Sequence, residues 1–361
     1  MKKPLLFAAL LLAGAAHAAP TYSVTDLGTL GGPNSYGYSV NNAGQVAGYS
    51  STSANSNQIF RYTPGSGMTN LGSYPAGNTL GFGYGINNTG SVVGASNTGG
   101  AAYAIRSVGG GAFGDLGNLG VLNSEARAIN DAGTAVGSSV TNAGGFHAFR
   151  TLATGGLQDL GTLGGSTSQA YGINATGQTV GYSTTGTGLT HAFRYTDGSG
   201  MLDIGALQPG TQSYAFGVND AGQTTGYYRV SSGAYIGYLY TDGDTTLRSI
   251  GALPDASFTI GNDINNLGQI VGNSDGSRRQ AFLYTATDGI RDLNTLLDAS
   301  GTGWNLQYAY GISDTGFITG YGVNSLGQTH AYLLTPQAVP EPSAFAILGL
   351  GVVGLLRRRR R

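Results

Sequence analysis

The 361-residue chain contains no cysteine. That excludes disulfides, thiolate metal sites, cysteine nucleophiles and a lipid-modified cysteine anchor. Charge is scarce as well: Asp, Glu, Lys and Arg make up 10% of the residues, where a soluble protein usually carries about 25%. Stretches that favour helix are missing, because glycine fills 64 positions and costs about 1 kcal/mol at each helix interior position. What remains is rich in aromatic rings, with 22 Tyr and 12 Phe, and 40% of the chain is hydrophobic. Such a chain can bury a core, so disorder is not expected. The composition predicts a glycine-rich β protein.

The two ends read as addresses rather than fold. Lys2 and Lys3 precede an apolar run from Pro4 to Ala16, followed by the small-x-small triplet Ala16-His17-Ala18. This is the pattern of a secretory signal peptide spanning residues 1–18, cut by signal peptidase after Ala18. Cutting after Ala19 would place Pro20 beside the scissile bond, which disfavours it. The run is too short for a membrane span of about 20 residues.

At the other end, Val339-Pro340-Glu341-Pro342 leads into fourteen apolar or small residues, Ser343 to Leu356, and then Arg357, Arg358, Arg359, Arg360 and Arg361. At 1.5 Å per residue the apolar stretch reaches ~21 Å, short of a ~30 Å hydrocarbon core. The arginines orient the tail to the cytoplasm and the body outside. Motif, apolar run and arginine cluster in this order resemble the PEP-CTERM sorting signal of Gram-negative bacteria. The resemblance implies processing by a membrane exosortase after a transient inner-membrane tether, with the product at the cell surface or in the extracellular matrix. Between the two ends, residues 19–338 hold 17 acids and 10 bases, a net charge of −7 with no lysine. That argues against nucleic acid or an anionic membrane as partner.

A repeat organises these 320 residues. The segment from Gly172 to Gly181 has six relatives, whose equivalents of Asn174 are Asn41, Asn87, Asn130, Asn219, Asn265 and Ser313, at steps of 43 to 48 residues. Each unit reads as four short strands: one running into Gly-Ile-Asn, a Gln-Val-Val-Gly type, a His-Ala-Phe-Arg type and an Asp-Leu-Gly type. Four strands in about 45 residues is the size of a β-propeller blade. Tyr22 to Gly28 is a fourth-type strand without a first, and His330 to Leu334 a third-type strand without a fourth. If these two orphans pair, the domain of residues 19–338 is all-β, a seven-bladed propeller of four-stranded blades closed by N-terminal strand overlap. An open β-solenoid or a string of hairpins is the alternative, and it would need polar capping repeats.

Two residue sets have the look of chemistry. Arg106 and Asp115, Arg150 and Asp159, and Arg194 and Asp203 are each nine apart. A hairpin centred between Gly198 and Ser199 would face Arg194 with Asp203, so cross-strand ion pairs are expected. His147, His191 and His330 share one repeat position and are weak ligand candidates, since three imidazoles that converged could hold zinc. A third strand lies away from a propeller channel, however, which favours a structural role. Asp131, Asp220 and Asp314 fall where Asx turns are expected. Asp242-Gly243-Asp244 could hold calcium but is more often only a loop, and no other cofactor is expected.

No nucleophile elbow, phosphate loop or His-Glu-x-x-His motif is present, and Glu125 is the one glutamate of the body. A non-catalytic protein is therefore expected, with no metal or catalytic residues assigned. Asp159-Leu160-Gly161-Thr162-Leu163-Gly164-Gly165 and His191-Ala192-Phe193-Arg194 resemble the HAF family of extracellular repeats, which implies an address and a fold but no chemistry. The expected function is a secreted or surface module that binds extracellular polysaccharide or a protein through tyrosine platforms. A purely structural envelope or matrix component is the alternative, and a propeller enzyme acting on a glycan a remoter one.

Overall fold

The computed structural model describes residues 21–75, 80–109 and 111–337. It divides into Tyr22–Pro336 and a second unit made of Met1–Thr21 with Gln337–Arg361. The expected cleavage point at Ala18 and Ala19 and the sorting tail from Val339 to Arg361 lie outside the described residues. No helix among the described residues is long and apolar enough to cross a membrane, a statement that does not extend to strands.

Tyr22–Pro336 is all-β, interrupted by three short 3-10 turns at Gly205–Leu207, Leu293–Leu296 and Ala299–Gly301. Repeat four shows the pattern: Gly164–Ile173, Thr179–Thr185, Thr190–Thr196 and Gly200–Asp203 form one antiparallel four-stranded sheet in sequence order. Repeats three and seven also make separate sheets. Repeats one and two, like five and six, share an eight-stranded sheet in which two antiparallel quartets touch through one parallel contact, Asn57 with Leu80 or Tyr235 with Phe258. The sheet of repeat seven takes its fourth strand from the other end of the domain. Tyr22–Asp26 pairs antiparallel with Thr329–Pro336, Tyr22 facing Pro336 and Asp26 facing Tyr332.

The most regular residues of the repeat are spent on this scaffold. After the first strand, Asn174 turns the chain: its side-chain oxygen accepts from the Gln178 amide at 2.9 Å, while its side-chain nitrogen donates to the Asn219 carbonyl of the next repeat at 2.9 Å. The same donation runs from Asn41 to Asn87, Asn87 to Asn130, Asn130 to Asn174, Asn219 to Asn265, and Asn265 to Ser313. A second series, one residue on, returns to the start. The Asn266 amide donates to Asp314, and the Asp314 amide donates to Asn42 of repeat one at 2.9 Å. The turn glycine, Gly177, has φ +85°, a left-handed conformation that glycine adopts without penalty. Gly181 is required for another reason: a Cβ there would stand 1.9 Å from the Gln169 carbonyl oxygen.

The cores lie between neighbouring sheets. Phe193, fully buried, packs with Ala170 of its own repeat and with Val136, Ala148 and Leu160 of repeat three. Val40, Val46 and Phe60 of repeat one pack in the same way against Leu27, Ala331 and Leu333 of the repeat-seven sheet.

One expected register is corrected. Phe193, not Arg194, faces Asp203, and Arg194 faces Leu202. The loop between Thr196 and Gly200 has three residues rather than two, with Gly198 and Gly200 both at positive φ. A one-residue shift turns every side chain to the other face, so the expected Arg–Asp pairs do not form.

Candidate functional site

Each first strand carries a β-bulge at the same place. In repeat four the pairing jumps from Ala170 to Gly172, leaving Tyr171 without a partner across the strand. The equivalent bulged residues are Tyr38, Tyr84, Arg127, Phe216, Asn262 and Tyr310. A bulge bends a strand and re-aims the extra side chain. All seven of these side chains line one cavity of about 710 Å³, the mouth, and all seven also line a second, narrower space of about 230 Å³, the neck. The neck shares Val40, Ile86, Ile129, Ile173 and Val218 with a third space of about 180 Å³ among the turn asparagines. Residues of every repeat therefore line a series of adjoining spaces whose two ends differ in chemistry.

Aromatic rings dominate the mouth in two arcs. Tyr36, Tyr38, Tyr49, Phe82, Tyr84, Tyr308, Tyr310 and Tyr321 form a connected set from repeats seven, one and two, for example Tyr38 stacked on Tyr310 at 4.8 Å and Tyr308 near Tyr321 at 4.6 Å. The second arc joins Tyr171, Tyr182, Tyr214, Phe216, Tyr227, Tyr235 and Phe258, with Tyr214 stacked on Tyr227 at 4.7 Å. Burial pushes the Tyr38 and Tyr84 hydroxyls up to about 12, so both remain protonated donors at neutral pH.

Two polar breaks separate the arcs. In repeat three, Arg127 holds Glu125 at 2.7 Å and lies over the rings of Tyr84 and Tyr171, 4.2 and 5.3 Å from their centres. Burial alone works against its charge, but Glu125 and the two tyrosines more than offset that and hold the guanidinium above its usual range. In repeat six, Arg279 holds Asp275 at 2.6 Å and covers Tyr308 at 4.6 Å. Asn273 donates to Asp275, and Asn262 donates to the Ala309 carbonyl.

The position after the bulge is small in most repeats, with Ser39, Gly85, Ala128, Gly172 and Gly217 lining the neck and Gly311 at the equivalent place in repeat seven. Repeat six places Asp263 there. Its carboxylate accepts from the Ile264 amide at 2.9 Å and from the Ile312 amide of repeat seven at 3.0 Å. Enclosure in the neck nevertheless pushes the carboxyl up to about 7, burial outweighing those two bonds.

The sequence candidates fall elsewhere. His147, His191 and His330 are not brought together: each binds the carboxylate of a fourth-strand aspartate through Nδ1, Asp159 at 2.9 Å, Asp203 at 2.9 Å and Asp26 at 2.7 Å. Among the described residues no three such side chains are placed to share a metal ion. The arginines reach instead to the following repeat, Arg150 to Asp197 and Arg194 to Asp242, both at 2.6 Å, and Arg106 to the Gly133 carbonyl at 2.9 Å. Asp242 of the candidate calcium loop is thus bound to a guanidinium, and Asp244 accepts from the Thr241 amide. Asp131, Asp220 and Asp314 do not cap their own turns. They accept from backbone amides of the preceding repeat, Asn88, Ala175 and Asn266, each at 2.8 Å. The turn itself is capped by the residue before each, Asn130, Asn219 or Ser313. In the His-Ala-Phe triplet, histidine ties the third strand to the fourth, the alanine amide donates to a serine of the next repeat (Ala148 to Ser168, 2.8 Å), and phenylalanine fills the core.

The mouth was missed because its rings read as ordinary alternating strand residues. The available signal was the position three before each turn asparagine, which is large in every repeat while its successor is small in most.

Residues 165–325 match a protein family of unknown function, DUF3466, and residues 338–361 match the PEP-CTERM protein-sorting motif. The chain therefore carries that sorting motif. No curated protein matches. Among solved structures, TolB from Acinetobacter baumannii is similar at 12% identity and TM-score 0.50, covering 81% of this chain, which spans 64% of TolB. The BP39L lectin from Burkholderia pseudomallei is similar at 9% identity and TM-score 0.49, over 88% of this chain and 98% of the lectin. A six-bladed β-propeller lectin from Aleuria aurantia is similar at 12% identity and TM-score 0.41, over 75% of this chain and 94% of that one. The likeness to TolB concerns the fold alone: an all-β, propeller-like assembly of four-stranded sheets.

Proposed function

We propose that this chain is an exported, non-catalytic binding protein: a closed ring of seven HAF-type blades whose mouth takes extracellular polysaccharide. The observation that carries the reading is the bulge. Every repeat spends its signature on scaffold and aims the bulged residue of its first strand into a single aromatic cavity. Cavities of about 300–1,000 Å³ with apolar walls and a few placed polar groups are typical of ligand sites. Flat rings with polar tips suit the apolar face and hydroxyl edge of a sugar. Ring closure is supported by the pairing of Tyr22–Asp26 with Thr329–Pro336 and by the amide series returning from Asp314 to Asn42.

A non-catalytic role is supported by the carboxylates at the mouth, since Glu125 and Asp275 are each held by a guanidinium. Export follows from the two ends, with signal peptidase acting after Ala18 and an exosortase-type enzyme near Glu341. The tail provides a transient inner-membrane tether before release to the surface or matrix. The net charge of −7 speaks against nucleic acid as partner.

A glycan array probed with the purified protein tests the reading. Binding to a defined subset of glycans is expected. An array blank throughout would leave a structural envelope component as the better account.

A further inference from the structure

We infer that the ligand of the mouth is an uncharged oligosaccharide lying across it, one sugar ring on each aromatic arc. This deepens the polysaccharide reading and rests on it.

The charge of the ligand follows from what the ionised groups already hold. Arg127 is committed to Glu125 at 2.7 Å and Arg279 to Asp275 at 2.6 Å. An incoming carboxylate or sulfate would meet a guanidinium whose charge an acid already offsets, and would set a second negative charge beside that acid, a costly arrangement where water is excluded. An incoming cation meets two guanidiniums already over the rings, 4.2 Å from the centre of Tyr84 and 4.6 Å from that of Tyr308, and would add like charge beside them. A polyhydroxyl ligand adds neither charge. Its hydroxyls can donate to the spare lone pairs of the two carboxylates and accept from guanidinium N–H groups that the acids leave free.

Length follows from the layout. One arc belongs to repeats seven, one and two and the other to repeats four and five, reaching Phe258 at the start of repeat six, so the ion pairs of repeats three and six fall between the arcs on opposite sides. A chain running from Tyr310 to Phe216 crosses the mouth between the two pairs. Both ends then stack, and the middle presents edge hydroxyls to charged partners. Stacking at two linked places makes the second contact intramolecular, which raises affinity with chain length until both are filled.

The test uses neutral glucan, mannan and xylan oligosaccharides of two to eight residues beside uronate oligosaccharides from alginate and pectate, arrayed together and followed by calorimetric titration. A neutral chain is expected to bind one per protein and to gain at least tenfold in affinity between two residues and the length that reaches both arcs. Uronate chains should bind at least tenfold more weakly. Tyr310→Ala and Phe216→Ala should each return a long chain to the affinity of a short one, with circular dichroism confirming the fold. Tighter binding of uronates, or two ligands bound independently, would overturn the inference while leaving polysaccharide binding intact. No binding to any saccharide would remove the underlying reading as well.

Discussion

The mouth and the narrow end among the turn asparagines are built from the same seven strands and obey different rules. At the narrow end, six repeats place asparagine and the seventh serine, and those six asparagines each donate to the next repeat. At the mouth, seven equivalent positions hold four tyrosines, a phenylalanine, an arginine and an asparagine. Uniformity marks the end where each repeat must fit its neighbour. Variety marks the end where no neighbour dictates the side chain, so selection for a ligand can act there. The lesson is that the signature by which such a repeat is recognised is the part that contributes least to what it binds.

Substitutions should separate the two ends. The largest effect is expected at Asn174→Ala, which strands the Gln178 amide and takes from the Asn219 carbonyl one of its two donors, the Gly222 amide keeping the other. The stranded amide costs about 1–3 kcal/mol and the lost second bond to the carbonyl roughly 0.5–1.5 more, so denaturant unfolding should show a loss of ~2–4 kcal/mol. A loss below about 0.5 kcal/mol, the size of an ordinary surface change, would break the contrast.

Asp263, between the two ends, comes next. Its carboxyl sits at about 7 in the fold against an ordinary 3.8. A raised carboxyl means the protonated form is favoured by folding, so its stabilising contribution is complete below pH 4 and is lost as pH rises through about 7. Asp263→Asn keeps the neutral form at every pH, although one amide oxygen must then serve two N–H donors. Melting at pH 8 should show the variant more stable by ~1–3 kcal/mol, within what such a shift allows, with the advantage vanishing at pH 4. An advantage independent of pH would show that Asp263 is ionised throughout.

Asp159→Ala should matter least to the scaffold. Its carboxylate is 42% exposed and holds His147 and the Gly161 amide. A cost of no more than ~1 kcal/mol is expected of an exposed pair, and thermal melts will measure it.

Much of the scaffold was legible in the sequence because it repeats. The spacing of Asn41 through Ser313 fixed the four-strand unit, and the phase mismatch between Tyr22 and His330 foretold the pairing of the first and last strands. Reading failed where one residue decides the outcome. The three-residue loop Asp197-Gly198-Ser199 moved Arg194 off Asp203 and onto Asp242, a shift that sequence separation of nine cannot reveal. The bulge at Tyr171 and its equivalents was invisible for the same reason: an extra residue breaks the alternation by which a strand face is read. Contacts between repeats, such as Asp220 with Ala175, were mistaken for local turn chemistry because neighbours in space lie 45 residues apart.

The central claim is that the mouth binds and the signature supports. The most direct measurement pairs unfolding with glycan-array binding in Tyr310→Leu/Phe216→Leu, which removes one stacking ring from each arc and keeps apolar volume. The account predicts stability within about 1.5 kcal/mol of the parent and an array signal lost. An unchanged array signal in this folded variant would contradict it.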